Sequence, residues 1–86
     1  MASYRLVIMR SVAKDLRAFP NADVAAILKR IQALADDPRP PGCEKLAAQE
    51  RYRVRQGVYR ILYEIQDHEL MVTVVKVGHR RDVYRN

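Results

Sequence analysis

The chain is 86 residues long, too short for two separate cores, each of which needs roughly 50 residues. Hydrophobic residues make up 49% and charged residues 30%, which supplies a core and excludes a compositionally disordered chain. Sixteen Lys plus Arg against ten Asp plus Glu leave +6, a balance that favours phosphate-bearing or acidic partners without naming one. The single cysteine, Cys43, excludes an intrachain disulfide and a Cys-rich zinc site, and a reducing cytoplasmic location is the simplest expectation. No apolar run approaches the roughly 20 residues of a membrane helix, and residues 1–9 are too weakly apolar for a signal peptide, so no membrane partner is expected.

Tyr4 to Met9 is short and rich in strand formers, and predicts a first strand. Ser11 is placed to cap a short helix carrying Val12, Leu16 and Phe19, which Pro20 ends. Asn21 is placed to cap a second helix, where Val24, Ile27, Leu28, Ile31, Leu34 and Ala35 recur at helical spacing. Asp37-Pro38-Arg39-Pro40-Pro41-Gly42 breaks regular structure. Beyond Lys45-Leu46 the texture is that of strands. Tyr52 and Val54 alternate with Arg53 and Arg55, Gln56-Gly57 offers a turn, and Val58 to Gln66 and Leu70 to Gly78 are dense in Val, Ile, Leu and Tyr. The predicted fold is α+β in the order β-α-α-β-β-β, a helical hairpin packed on one face of a mainly antiparallel four-stranded sheet, forming one domain over residues 1–86. The other face of that sheet has no cover within the chain.

Strand alternation assigns the faces. If Tyr52 and Val54 point to the core, Arg53 and Arg55 share the opposite side, and if Tyr59, Ile61, Tyr63 and Ile65 meet the helices, Arg60, Leu62 and Glu64 face away. The last strand delivers His79, Arg80 and Arg81 at its carboxyl end, followed by Tyr84 and Arg85. The expected result is a basic patch with an aromatic beside it. From Arg51 to Arg60 there are four arginines and no acid. Guanidinium forks grip phosphate oxygens bidentately and stay charged, and a tyrosine stacks on a base or bonds a phosphate. Such a site suits RNA, where attack of a 2′-hydroxyl on the adjacent phosphorus needs positioning, charge stabilisation and proton transfers but no metal or cofactor. His79, whose ordinary pKa of about 6.5 is near neutrality, is a candidate for proton transfer. His68 reads as a solvated turn residue, Tyr59 and Tyr63 as core, and Cys43 as an unreactive small residue.

The runs Tyr52-Arg-Val-Arg-Gln-Gly-Val-Tyr-Arg-Ile-Leu-Tyr-Glu-Ile and Val77-Gly-His-Arg-Arg-Asp-Val-Tyr-Arg resemble the carboxyl half of RelE-type toxins of the RelE/ParE superfamily, and the likeness extends to the element order. The resemblance implies a toxin that cuts messenger RNA in the ribosomal decoding site, that a cognate antitoxin silences, and that binds operator DNA through the antitoxin complex. It implies that Arg60 and Arg80 hold the scissile phosphate and stabilise its developing charge, and that Tyr84 orients the nucleotide or its 2′-hydroxyl. Arg51, Arg81 and Arg85 are expected to bind substrate. Arg53 and Arg55 match two positions that are lysines in the best-known RelE pattern, one of them assigned to proton abstraction. Arginine is a poor base, so the base is open between His79, a ribosomal group, and purely electrostatic action by the arginines. Two alternatives stand beside this reading: a ParE-like toxin acting on DNA gyrase, and a basic RNA-binding module without activity.

Overall fold

The computed structural model describes residues 3–46 and 51–81. The elements are β1 (Arg5–Ile8), α1 (Arg10–Leu16), α2 (Asn21–Ala33), β2 (Glu44–Lys45), β3 (Arg51–Gln56), β4 (Tyr59–Gln66) and β5 (Met71–His79), with one 3₁₀ turn over Asp67–Glu69 between the last two strands. They form one five-stranded sheet of order β1-β5-β4-β3-β2. All pairings are antiparallel except β1 with β5, which the intervening helical hairpin makes parallel. The expected four strands become five because Glu44–Lys45 pairs with Arg53 and Tyr52 as a two-residue edge. A segment that short, following three prolines and a glycine at φ +90°, carries no periodicity to read.

Both helices lie on one face, α1 over β5 and α2 over β3. Val12 and Leu16 from α1, and Ile27 and Ile31 from α2 with Leu34 just beyond it, pack on Val54, Ile61, Tyr63, Ile65, Val72, Val74 and Val77 of the sheet, all of them buried. The helix starts differ from expectation. Met9 and Pro20 hold the two N-cap positions without a side-chain bond, and Ser11 and Asn21 fall inside the first turns. Both starts follow extended backbone, with ψ near 148° at Met9 and 143° at Pro20, so chain direction and the packing of the apolar stripes set the boundaries.

The tyrosines read as core behave so. Tyr63 is fully buried, and its hydroxyl donates to the Pro38 carbonyl at 2.7 Å; burial pushes its pKa up. Phe19 packs on the Tyr59 ring, and the Tyr59 hydroxyl donates to Asp23 at 2.7 Å. At the far end of the sheet Arg39 ties the proline loop to the 3₁₀ turn. Its Nη2 donates to Asp67 at 2.9 Å and its Nε to the Tyr52 hydroxyl at 3.2 Å, and the Tyr4 hydroxyl donates to the same Asp67 at 2.7 Å.

Two predictions follow from these contacts. Tyr63→Phe removes one hydrogen bond and leaves a buried carbonyl unmatched, so it should lower unfolding free energy by about 1–2 kcal/mol in urea titrations without changing the fold. Arg39 and then Tyr4 hold the Asp67 carboxyl below the usual carboxylate range. A lowered folded-state pKa gives stability that is complete above the unfolded-state value, about 3.9, and is lost as pH falls through the folded value. Thermal unfolding of the wild type should therefore lose more stability between pH 5 and pH 3, as a rough window, than that of Asp67→Asn.

Candidate phosphodiester site on the open sheet face

The face away from the helices is built in cross-strand rows. The first row is Arg55, Arg60 and Gly78; the second is Arg53, Leu62 and Lys76; the third is Arg51, Glu64 and Thr73. Rows on one face are two residues apart along β4, about 7 Å. The β3–β4 turn fixes the first row. Gln56 pairs with Tyr59 across a two-residue loop whose first residue, Gly57, has φ +61°, a conformation that tight hairpins demand and that glycine adopts without strain. The Arg80 amide donates to the Val58 carbonyl of that loop at 2.8 Å. This bond carries the end of β5 to the hairpin, beside Arg55 and Arg60.

Electrostatics tie the group together. Burial, and then the neighbouring guanidinium groups of Arg55, Arg53 and Arg80, pull the Arg60 pKa below the ordinary arginine value, while the Glu44 carboxylate pushes it back up. Three guanidinium groups therefore act on Arg60 through space. Gly78 stands opposite Arg60 and puts no side chain on that face. The cluster is a concentrated cationic surface fit to hold a phosphate and the extra negative charge of a pentacovalent phosphorane.

Two acids share this face with the arginines. Glu44, on β2 directly opposite Arg53, accepts a hydrogen bond from Arg53 Nη2 at 2.6 Å, and Glu64 accepts one from Arg51 Nη2 at 2.8 Å. Glu44 escaped sequence reasoning because its place depends on the register of a two-residue edge strand; Glu64 was placed on this face by alternation.

His79 is also corrected. It sits on the helix side, edge-on to the Tyr59 ring at 6.4 Å between centroids, and lines a cleft with Lys14, Asp15 and Phe19. The reason is a bulge. The register runs Leu62 with Lys76 but Tyr63 with Val74, so Val75 is an extra residue and every later side chain changes face. Unbroken alternation from Val72 and Val74 would have buried Lys76 and set His79 among the arginines. Arg81 is exposed at the end of the strand, and its amide donates to His79 Nδ1 at 3.2 Å. Tyr84 and Arg85 lie outside the described residues. Among the described residues no three His, Cys, Asp or Glu side chains gather as a metal-binding group, and no helix is long and apolar enough to cross a membrane.

The model of the ParE toxin family, toxins of type II toxin–antitoxin systems of the parDE kind, matches residues 6–84. The chain belongs to that family. Relatives of this ParE-family chain carry RelE-type names. Toxin RelG of Mycobacterium tuberculosis is 44% identical over 34 residues, a match spanning 40% of this chain and only 39% of that protein. The putative toxin RelE1 of Methanocaldococcus jannaschii is 27% identical across 96% of this chain and 97% of its own. Among solved structures, the toxin–antitoxin complex RelBE2 of M. tuberculosis superposes with a TM-score of 0.83 at 27% identity, covering 95% of this chain and 97% of that one. Fold and family agree: this is a RelE-type toxin of the RelE/ParE superfamily.

The ion pair between Glu44 and Arg53 makes the carboxylate an internal competitor for any anion. Glu44→Gln should tighten binding of a short polyphosphate and steepen its salt dependence by about one unit in log–log slope, read by titration calorimetry at several salt concentrations.

Proposed function

We propose that this toxin is a ribosome-dependent endoribonuclease that cuts messenger RNA in the decoding site by attack of a ribose 2′-hydroxyl on the adjacent phosphorus. The observation that carries the reading is the placement of Arg53 and Arg55 on β3 beside Arg60 on β4, with Arg80 drawn to the same hairpin by its amide bond to the Val58 carbonyl. Arg60 and Arg80 grip the non-bridging oxygens, with Arg55 in the same row. As the 2′-oxygen bonds to phosphorus, its proton passes to the Glu44 carboxylate, which Arg53 orients. The bond to the 5′-oxygen breaks, the arginines carry the charge of the departing oxygen until it takes a proton from water, Glu44 returns its proton to solvent, and the products are a 2′,3′-cyclic phosphate and a 5′-hydroxyl. Glu44 thus takes the task that arginines at the lysine positions perform poorly. Tyr84, by its likeness to the RelE motif, orients the nucleotide.

A cognate antitoxin is the expected protein partner, since the RelBE2 relative was solved as a toxin–antitoxin complex. An acidic antitoxin segment would neutralise the arginine rows, and the pair would bind operator DNA.

The test is translation of a reporter message in a cell-free extract with primer-extension mapping. Arg60→Ala should reduce cutting by roughly 10²–10³-fold, and Glu44→Gln by roughly 10²-fold or more with the salt-dependent anion binding retained. Intact message under full translational arrest, or cutting that needs no ribosome, would sink the proposal. The ParE family name supports a second reading, action on DNA gyrase. Gyrase-dependent DNA breakage with unharmed message would establish it instead.

A further inference from the structure

We infer that His79 is a positioning residue for the phosphate grip: its neutral imidazole, seated on the helix side of the sheet, fixes the backbone that carries Arg80 to the open face, and protonation releases it. The inference rests on the phosphate-holding role given to Arg80 above. β5 ends at His79, so the strand ladder no longer dictates the course of the chain beyond it. Two hydrogen bonds set that course instead. The Arg80 amide donates to the Val58 carbonyl at 2.8 Å, and the Arg81 amide donates to His79 Nδ1 at 3.2 Å. These amides belong to the peptide groups on either side of the Arg80 Cα. With both planes held, the backbone torsions of Arg80 are fixed, and with them the direction in which its side chain leaves the chain.

The imidazole is itself held from the helical layer. Its ring stands edge-on to Tyr59, 6.4 Å between centroids and 77° between planes. Tyr59 in turn packs on Phe19 and donates its hydroxyl to Asp23 of α2 at 2.7 Å. Packing on one face of the sheet is thereby passed through a single ring to the residue that serves the other face. The bulge makes this possible, since the changed parity of β5 is what puts residue 79 on the helix side. A side-chain acceptor on one residue bonded to the amide two residues later is how Asn and Asp build turns. His79 does the same with a ring nitrogen, and a ring nitrogen titrates.

The bond to Arg81 fixes the tautomer. Nδ1 accepts through its lone pair, so the proton of the neutral ring resides on Nε2. A second proton enters only at Nδ1, where it turns the acceptor into a donor facing a donor. The Arg81 bond is then lost, and Arg80 stays pinned on one side alone. Charges bear on that step from each neighbouring element. Lys14 and Asp15 of α1 and Lys76 of β5 line the same cleft as His79, and Lys76 Nζ stands 3.6 Å from the Asp15 carboxylate. Tyr59 faces the ring from β4 with its hydroxyl on Asp23, and Arg80 and Arg81 follow in the chain. The cations oppose a further positive charge, and Lys76 offsets part of the opposite pull of Asp15. An imidazolium acting only as an added cation would tighten phosphate binding on acidification. Loss of positioning weakens it, so the two effects differ in sign.

The experiment is an ¹⁵N-resolved NMR titration of the free toxin with the thymidine dinucleotide TpT, a phosphodiester of constant charge that has no 2′-hydroxyl and so is not cut. It is run at about pH 8 and about pH 5.5, either side of the ordinary imidazole range. Wild type should bind about three- to tenfold more weakly at the lower pH, the worth of one hydrogen bond. His79→Asn, whose Oδ1 accepts the same amide and does not titrate, should bind at both pH values as wild type does at the higher one. His79→Ala should be weak at both. Imidazole ¹⁵N shifts of the wild type should put the proton on Nε2 at the higher pH, with the Arg81 amide shift following the His79 titration. A proton on Nδ1, binding that tightens on acidification, an asparagine variant as weak as the alanine one, or a pH dependence that survives His79→Asn would each overturn the inference. If His79→Ala does not fold, the wild-type profile and the asparagine variant decide. Failure of the nuclease reading shows separately, as uncut message in the extract, whatever these titrations give.

Discussion

The pairing of Val54 with Ile61 is the contact on which the rest depends. Both side chains are buried to within 1%; Val54 sits in a strand whose alternate residues are arginines, and Ile61 in one whose outward residues include Arg60 and Glu64. Sliding β3 by one residue would expose its apolar set and drive Arg51, Arg53 and Arg55 into the core. An unpaired buried charge costs several kcal/mol, so three would exceed the whole stability of a domain this size. The cationic face is therefore not an addition to the fold. It is the outer side of the only register in which the sheet can be buried at all.

That face is under electrostatic stress. Arg55 and Arg60 stand directly opposite each other, an arrangement that destabilises a sheet by up to about 1 kcal/mol for each like-charged pair, and Arg80 is brought beside them by its backbone bond to Val58. The Glu44 carboxylate relieves part of the strain from the edge strand, with Arg53 between. A phosphate relieves more, because it brings negative charge to the centre of the group. Binding energy that comes from releasing repulsion between fixed cations grows as negative charge accumulates on the phosphorane. On the nuclease reading such a surface favours the transition state over the ground state, which is the condition for acceleration rather than mere affinity.

Much of this was legible in the sequence because it follows from period two. The core set of Tyr52, Val54, Ile61, Tyr63 and Ile65 and the opposing arginines came out as alternation requires, and so did the helix stripe ending in Ile31 and Leu34. What was not legible depends on register rather than period. Glu44 reaches Arg53 only through a two-residue strand fixed by the proline loop, and no local pattern announces such a strand. The bulge did leave a trace. In Val72-Thr73-Val74-Val75-Lys76-Val77 the apolar parity holds through Val74, fails at Lys76, and resumes at Val77. A lysine at a core position is costly enough that an inserted residue is the cheaper solution, and a reader weighing that cost would have moved His79 to the helix side.

The same inserted residue also shapes the open face. It turns Lys76 outward and sets it with the half-buried Val75 and Leu62 along the strip that leads to the Arg51–Glu64 pair. Charge then falls along β4 from the two arginines of the first row, through Arg53 and Lys76 with Glu44 offsetting Arg53, to the balanced Arg51–Glu64 pair. A polyanion meeting such a gradient is held hardest at the Arg55–Arg60 end. On the nuclease reading the scissile phosphate therefore lies at the Arg55–Arg60 end, with the Glu44 carboxylate one row away against Arg53.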